Sequence, residues 1–247
     1  IKSSAASDVY KRQEYTLTYA QQSAMDPKGD ELDAFVAEMS AVLQANNGLD
    51  VYKKNFFRGK LVLFDFRSHL YAPLICLEKS NLKIQLAPVA LNTDEMRFVD
   101  YLKSYVDDHA AELAGKSLYL LRNKSKVGMG FFEAGNFYPD YILWIDTPAT
   151  QYISFIDPKG LMHIRPDDPK IEFHKTIKDL ETRLSPTADG KRIVLNSFIM
   201  AGTRSSDLRM WWSTPEVDAD RAYREARNVY TLDNDECVES MMRKILQ

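Results

Sequence analysis

The amino-acid sequence predicts an α/β fold in which helices flank a mixed central sheet, preceded by a small α+β connecting module. The main observation is the order of elements between residues 92 and 201, which alternates as helix, three strands, helix and strand. The two helices carry apolar residues at three- and four-residue spacing, whereas the strands are short apolar runs bounded by turn residues. A chain of 247 residues with 45% apolar composition is long enough for one or two domains, each with its own core.

The composition predicts a soluble cytoplasmic protein. No apolar run approaches the roughly 18 residues that a membrane-spanning helix needs, and no charged-then-apolar leader is present. Cys76 and Cys237 lie far apart and do not form a metal-type pair, which favours a reducing compartment but leaves a disulfide as an alternative. The formal net charge of −3 predicts weak binding to DNA by this chain alone, because nonspecific affinity comes from neutralising phosphates.

The first 13 residues do not resemble a segment of a natural protein. Residues 3–13, "SSAASDVYKRQ", resemble the in-frame translation of a sequencing adaptor, so we treat residues 1–13 as a non-native scar. On this interpretation we expect the natural protein to begin upstream and the chain to be its C-terminal fragment.

Residues 14–88 are predicted to form the connecting module. Leu32, Phe35, Val36, Met39 and Leu43 recur at helical spacing within a predicted helix over 27–45. Strands are predicted at "LVLFDF", "APLICL" and "LKIQLAP" between residues 49 and 88. This module carries no obvious chemistry.

Residues 89–247 are predicted to form the main domain. Asn92 is three residues before Glu95, the spacing of a capping box, and an apolar stripe follows as far as Leu113, with Gly115 ending the helix. The remaining predicted elements are strands at 117–121, 138–146 and 151–157, a helix at 169–184, a strand at 192–201, a strand at 228–232 and a helix at 234–246.

Two aspartates stand in the predicted hairpin, where a buried sheet favours apolar residues. If "TPAT" at 147–150 is the turn, the antiparallel register pairs Asp140 with Asp157 on one face. Directly opposed residues have Cβ atoms roughly 5 Å apart, so two carboxylates there repel each other unless a proton or a cation intervenes. Mg²⁺ prefers oxygen ligands such as carboxylates. It binds proteins through one or two carboxylates and retains water ligands, which leaves coordination positions for a substrate phosphate.

Lys159 follows Asp157 by two residues and falls on the same face if the strand persists. Hydrolysis of a phosphodiester needs a metal ion and a cation near the phosphate, and the Lys159 ammonium can be that cation. The Pro158 carbonyl could be a further ligand of the metal. Glu95 could add a carboxylate from the first helix. The structural alternative is that "YPD" and "DPKG" are ordinary turn sequences and that Glu95 only caps its helix.

These residues carry a family resemblance. "YPD" followed by "FIDPKG" resembles the PD-(D/E)xK nuclease signature, and "LAPVALNTDEMRFVDYL", "LYLLRN" and "GFFEAGNFYPDYILWI" are similar to the C-terminal part of type III restriction endonuclease Res subunits and related DEAD/DEAH-box helicase–nuclease proteins. The similarity covers most of residues 60–200. It implies that 89–247 is a restriction-endonuclease-like nuclease domain and that 14–88 ends a missing helicase part.

The resemblance also implies the chemistry and the partners. Asp140, Asp157 and Lys159 match the catalytic set, with Asp140 and Asp157 holding Mg²⁺, for which Mn²⁺ can substitute, and Glu95 as a further metal ligand. The substrate is double-stranded DNA, a modification methyltransferase is the expected partner subunit, and ATP acts only through the absent motor. "AGKS" at 114–117 lacks the earlier glycine of a phosphate-binding loop. The rival function is a non-catalytic domain that couples a helicase to DNA or to a subunit.

Overall fold

The computed structural model describes much of the chain and all of the predicted hairpin. The described residues are 16–20, 31, 33–35, 37–38, 41, 51–56, 59–64, 74–78, 83–87, 89–123, 128–132, 134–212 and 217–247. The chain forms two compact units, residues 1–96 and 97–247. The predicted scar at 1–13 lies outside the described residues, and the domain boundary at residue 88 stays a prediction.

The first unit is built from short antiparallel strands. The strands are β1 (Thr16–Ala20), β2 (Val51–Phe56), β3 (Gly59–Phe64), β4 (Leu74–Glu78) and β5 (Lys83–Ala87). They form a three-stranded sheet in the order β2-β3-β4 and a separate pair, β1-β5. The described residues between 31 and 41 are helical, and among them Phe35 is buried, as the predicted helix requires. The three strands predicted within 49–88 are confirmed as β3, β4 and β5, whereas β1 and β2 were not predicted.

The second unit contains a five-stranded mixed sheet packed against helices, which confirms the predicted α/β class. The strands are β6 (Ser117–Arg122), β7 (Tyr141–Asp146), β8 (Thr150–Lys159), β9 (Arg192–Ala201) and β10 (Val229–Thr231), in the order β10-β9-β8-β7-β6. The hairpin partners β6, β7 and β8 are antiparallel, and β8, β9 and β10 are parallel. The helices are α1 (Thr93–Asp108), α2 (Pro169–Glu181), α3 (Ser205–Trp211), α4 (Val217–Glu225) and α5 (Glu236–Ile245), and the first turn of α1 precedes the unit boundary. No helix in the described part of the chain is long and apolar enough to cross a membrane.

Helix α1 ends earlier than its apolar stripe predicts. The helix stops at Asp108, and residues 109–115 continue as turns that finish at Gly115 with a φ of 77°. Glycine adopts this left-handed conformation without steric cost, so Gly115 does terminate the segment. Helix α2 likewise ends at Glu181, short of the predicted 184. Helices α3 and α4 were not predicted.

The register predicted for the hairpin is confirmed. Ile142 pairs with Phe155, and Trp144 with Ile153. Thr147 and Thr150 close the turn, because the Thr147 amide and hydroxyl both donate to the Thr150 carbonyl, at 2.9 and 2.8 Å.

Both faces of the sheet are largely buried. One face packs against α2 around Phe155 and Phe173. The other carries Tyr141, whose ring lies 5.5 Å from that of Phe98 in α1. An acid on either face therefore has to be compensated within the protein.

Candidate active site

Asp157 lies in the central strand of the five-stranded sheet. Its strand, β8, pairs with β7 only as far as Ile156 but with β9 as far as Lys159, so Asp157 stands opposite Ile199 in the parallel ladder. Asp157 is 4% exposed. Side chains alternate along a strand, so Asp157 shares a face with Phe155 and the cluster under α2. A carboxylate at this depth needs a cationic partner, and one is present.

Lys159 supplies that cation. Its ammonium forms an ion pair with Asp157 Oδ2, and the lysine side chain keeps 23% of its surface exposed. The same ammonium lies 5.4 Å from the centre of the Phe137 ring, where the π face attracts a cation. The structure thus brings Asp157 and Lys159 together on one face, with the lysine reaching solvent and the acid beneath it.

Asp140 lies just outside β7, at the end of the strand next to this pair. The β7–β8 ladder ends with Tyr141 opposite Ile156, one pair short of the predicted opposition between Asp140 and Asp157. The backbone of Asp140 is instead held from the β6 side, where the Asn123 amide donates to the Asp140 carbonyl at 2.7 Å. Asp140 is half-buried. Its register position remains opposite Asp157, although the ladder has ended.

Asn123 is a residue of this site that the sequence reasoning missed. Its Nδ2 donates to the carbonyls of Met129, at 2.7 Å, and Pro139, at 2.8 Å, and its Oδ1 accepts from the Met129 amide at 3.0 Å. Together with the bond to the Asp140 carbonyl, these contacts fasten the chain entering β7 to the end of β6. The available signal was an asparagine directly after an apolar strand, a position where its side chain commonly bonds nearby backbone.

The loop before Asp140 places the ring of Phe137 next to the Lys159 ammonium. Phe131 and Phe137 exchange backbone hydrogen bonds of 2.8 and 3.0 Å. The Phe131 ring lies 4.8 Å from Phe155, and the Phe137 ring 5.6 Å from Phe173. Because both rings are anchored in the core, Phe137 is fixed beneath the lysine.

Glu95 occupies the capping-box position that the sequence predicts. Asn92 Oδ1 accepts from the Glu95 amide at 2.9 Å, and Glu95 Oε2 accepts from the Asn92 amide at 2.7 Å. Glu95 is 6% exposed. One of its oxygens therefore serves the helix end, and its role as a metal ligand stays a prediction.

His174 and Lys175 of α2 make their contacts within their own helix. His174 Nδ1 lies 2.7 Å from the Ile171 carbonyl, and burial lowers the pKa of His174. Lys175 forms an ion pair with Glu172 at 2.5 Å.

Cys76 and Cys237 are not joined in a disulfide, so the disulfide alternative is not realised. Cys76 and Cys237 are both buried. Burial raises the pKa of the Cys237 thiol to about 12, which leaves it protonated and unreactive near neutral pH.

The oxygen donors of Asp140 and Asp157 fit Mg²⁺, which binds proteins through one or two carboxylates and retains several waters. Among the residues that the structure describes, no three His, Cys, Asp or Glu side chains are grouped to hold a metal ion.

Comparison with known proteins finds no matching family model, no matching curated protein and no matching solved structure. The assignment of a function therefore depends on the geometry and chemistry of Asp140, Asp157 and Lys159.

Proposed function

We propose that this chain is a Mg²⁺-dependent endonuclease domain that hydrolyses phosphodiester bonds in DNA. The observation that carries the proposal is the pairing of buried Asp157 with partly exposed Lys159 at the end of the central strand. Ion pairs buried for stability alone are often no better than apolar packing, so a pair in this position suggests a chemical role.

The sheet topology supports a restriction-endonuclease-like core. A helix precedes an antiparallel β6-β7-β8 meander, and α2 then connects β8 to the parallel strand β9. The resemblance of "YPD" and "FIDPKG" to the PD-(D/E)xK signature adds to this support, since its residues fall at Asp140, Asp157 and Lys159.

In this proposal each residue has a separate task. Asp140 and Asp157 would hold Mg²⁺ or Mn²⁺. A bound metal of this kind supplies a Lewis acid and lowers the pKa of a coordinated water. Lys159 would bind the scissile phosphate with its ammonium, which Asp157 and Phe137 hold in position.

The wider assembly belongs to the same proposal. The domain would work in an ATP-dependent restriction enzyme whose motor lies outside this chain. A modification methyltransferase subunit would be its partner, and double-stranded DNA its substrate. The alternative is a coupling domain without catalysis.

The decisive experiment is a cleavage assay of the chain on plasmid DNA with Mg²⁺, with Mn²⁺ and with EDTA. We expect metal-dependent cleavage that falls by at least about a hundredfold in Asp157→Ala and in Lys159→Ala, since each change removes a group acting on the reacting phosphate. Asp189→Ala is the matched control, because Asp189 is an exposed acid whose ion pair with Lys191 spans 3.5 Å.

Cleavage at the wild-type rate by Asp157→Ala would show that the site is wrongly assigned. Absence of cleavage by the wild-type chain under all three conditions, together with DNA or subunit binding that Asp157→Ala leaves intact, would favour the coupling domain.

A further inference from the structure

Large exposed side chains occur in the two segments that follow β8 and β9, whose ends at Lys159 and Ala201 lie side by side. Met162 is 50% exposed, Met210 78% and Trp211 43%, and His163 is also exposed. We call these four residues the apolar platform. His163 lies only four residues after Lys159, so their Cα atoms are separated by at most about 14 Å. The platform therefore lies within a few nucleotides' length of the proposed cleavage site.

The platform is assembled from two segments that are distant in sequence. The rings of His163 and Trp211 meet edge to face, with centroids 5.1 Å apart. The neighbouring Trp212 is buried, and its Nε1 donates to the Ile164 carbonyl at 2.9 Å. The Leu161 amide donates to Thr203 Oγ1 at 2.8 Å. These contacts hold the exposed rings on a fixed base.

His163 adopts an unusual backbone conformation to take part. Its φ is 70°, in the left-handed region that non-glycine residues rarely occupy. Such a conformation persists only when its surroundings enforce it, and it recurs at binding sites. Here it accompanies the contact between the His163 ring and the exposed Trp211.

Each of the two segments that form the platform carries an exposed arginine, although the whole chain has a formal charge of −3. Arg165 pairs with Asp167 at 3.1 Å but leaves 78% of its side chain exposed, and Arg204 is exposed as well. Exposed aromatic rings interleaved with basic side chains are typical of surfaces that bind single-stranded nucleic acid.

We propose that the apolar platform binds unpaired nucleotides of the DNA strand that passes Lys159, with Trp211 stacking on a base and Arg165 and Arg204 contacting phosphates. In an intact duplex the base faces are covered by their neighbours, so an indole ring engages them only where the strand is open. The position beside a cleavage site rests on the proposed nuclease function, whereas the binding itself needs no catalysis.

The test measures binding of the chain to a short labelled oligothymidylate and to a duplex of the same length, by fluorescence anisotropy in EDTA. We expect tighter binding to the single strand. Trp211→Ala should weaken single-strand binding by about fivefold or more, which corresponds to about 1 kcal/mol. Trp211→Phe should retain most of the affinity, because phenylalanine also offers a stacking face.

Tyr119→Ala is the matched control. Tyr119 is 42% exposed, close to the 43% of Trp211, but it lies on β6, which is an edge strand of the sheet separated from β8 by β7. Its removal should leave single-strand affinity unchanged. Arg204→Ala should reduce the salt dependence of binding, whereas Trp211→Ala should not. Melting temperatures of all variants establish that each is folded.

Equal effects of Trp211→Ala and Tyr119→Ala, no effect of Trp211→Ala, or equal affinity for single strand and duplex would each overturn the platform proposal. Since EDTA prevents cleavage, this result is independent of the nuclease assay. A chain that cleaves DNA but shows no role for Trp211 would refute the platform alone. A chain that binds through Trp211 but never cleaves would refute the nuclease alone.

Discussion

At the scale of single residues, the arrangement to explain is an acid and a base at the end of a strand whose second half is largely buried. Asp157 is 4% exposed, and the Lys159 side chain is 23% exposed. Removing water from either charge alone is costly, and their mutual attraction offsets part of that cost. Without a bound metal, each residue therefore compensates the charge of the other.

This coupling can be measured with a double-mutant cycle. We expect Asp157→Asn and Lys159→Met each to lower the free energy of unfolding in EDTA, because each leaves the partner charge uncompensated. The double variant should lose less than the sum of the two, with a coupling energy of about 0.5–3 kcal/mol. Urea unfolding of the four proteins provides the measurement. Additive effects would mean that the pair contributes no interaction energy.

At the scale of elements, α1 depends on its capping box. Asn92→Ala removes the acceptor for the amides of Asp94 and Glu95 and should lower the free energy of unfolding by about 1 kcal/mol. Glu95→Gln keeps a carbonyl oxygen that can accept from the Asn92 amide, so its melting temperature should stay close to that of the wild type.

Glu95→Gln also separates capping from metal binding. A cap tolerates the amide, whereas a metal ligand that loses its charge should weaken the metal dependence of the proposed cleavage. Unchanged stability with unchanged cleavage assigns Glu95 to the cap alone. Unchanged stability with reduced cleavage supports the predicted ligand role.

Helix α2 carries a pH-dependent group, His174. Burial lowers its pKa from the ordinary 6.5, Glu172 opposes this shift, and Lys175 and Lys244 add to it. The unfolded chain therefore takes up the proton at a higher pH than the folded protein. The contribution to stability is complete above about pH 6.5 and is lost as the pH falls through the folded pKa.

The corresponding experiment compares the melting temperature of the wild type and His174→Gln across that pH range. Glutamine remains polar but does not titrate. We expect the melting temperature of the wild type to fall further than that of the variant as the pH is lowered. Parallel curves would show that His174 does not contribute to the pH dependence.

At the scale of the whole molecule, the described functional features lie at one end of the five-stranded sheet, where its parallel strands finish. The parallel strands β8, β9 and β10 end at Lys159, Ala201 and Thr231, which lie side by side in register. Ligands of α/β proteins commonly bind beyond the carboxyl ends of parallel strands. A pocket of about 370 Å³ also lies there, and the buried ion pair of Asp220 and Arg224, at 2.9 Å, contributes to its lining.

The two buried thiols report on global integrity. Cys76 is 1% exposed and Cys237 6%, and burial raises the pKa of Cys237 to about 12. We expect both to resist an alkylating reagent at neutral pH in the folded protein and to react rapidly in denaturant. Mass spectrometry after timed labelling distinguishes the two sites. Fast native labelling of Cys237 would contradict the described packing of α5.

Features that depend on neighbouring residues could be predicted from the amino-acid sequence. The capping box of Asn92 and Glu95, the limits of β9 and the register of the hairpin were all predicted correctly, because helix caps, turns and side-chain alternation act over a few residues.

Tertiary structure alone decided the contacts between distant segments. Asn123 holds the Pro139 carbonyl across 16 residues, and the Trp212 indole bonds the Ile164 carbonyl across 48. The position of the Lys159 ammonium over the Phe137 ring likewise requires the folded loop that precedes Asp140. Periodicity and turn chemistry carry no information about which remote side chains meet. That pairing follows from how the helices pack on the sheet, and so the sequence supplied the acids and the lysine while the fold decided what surrounds them.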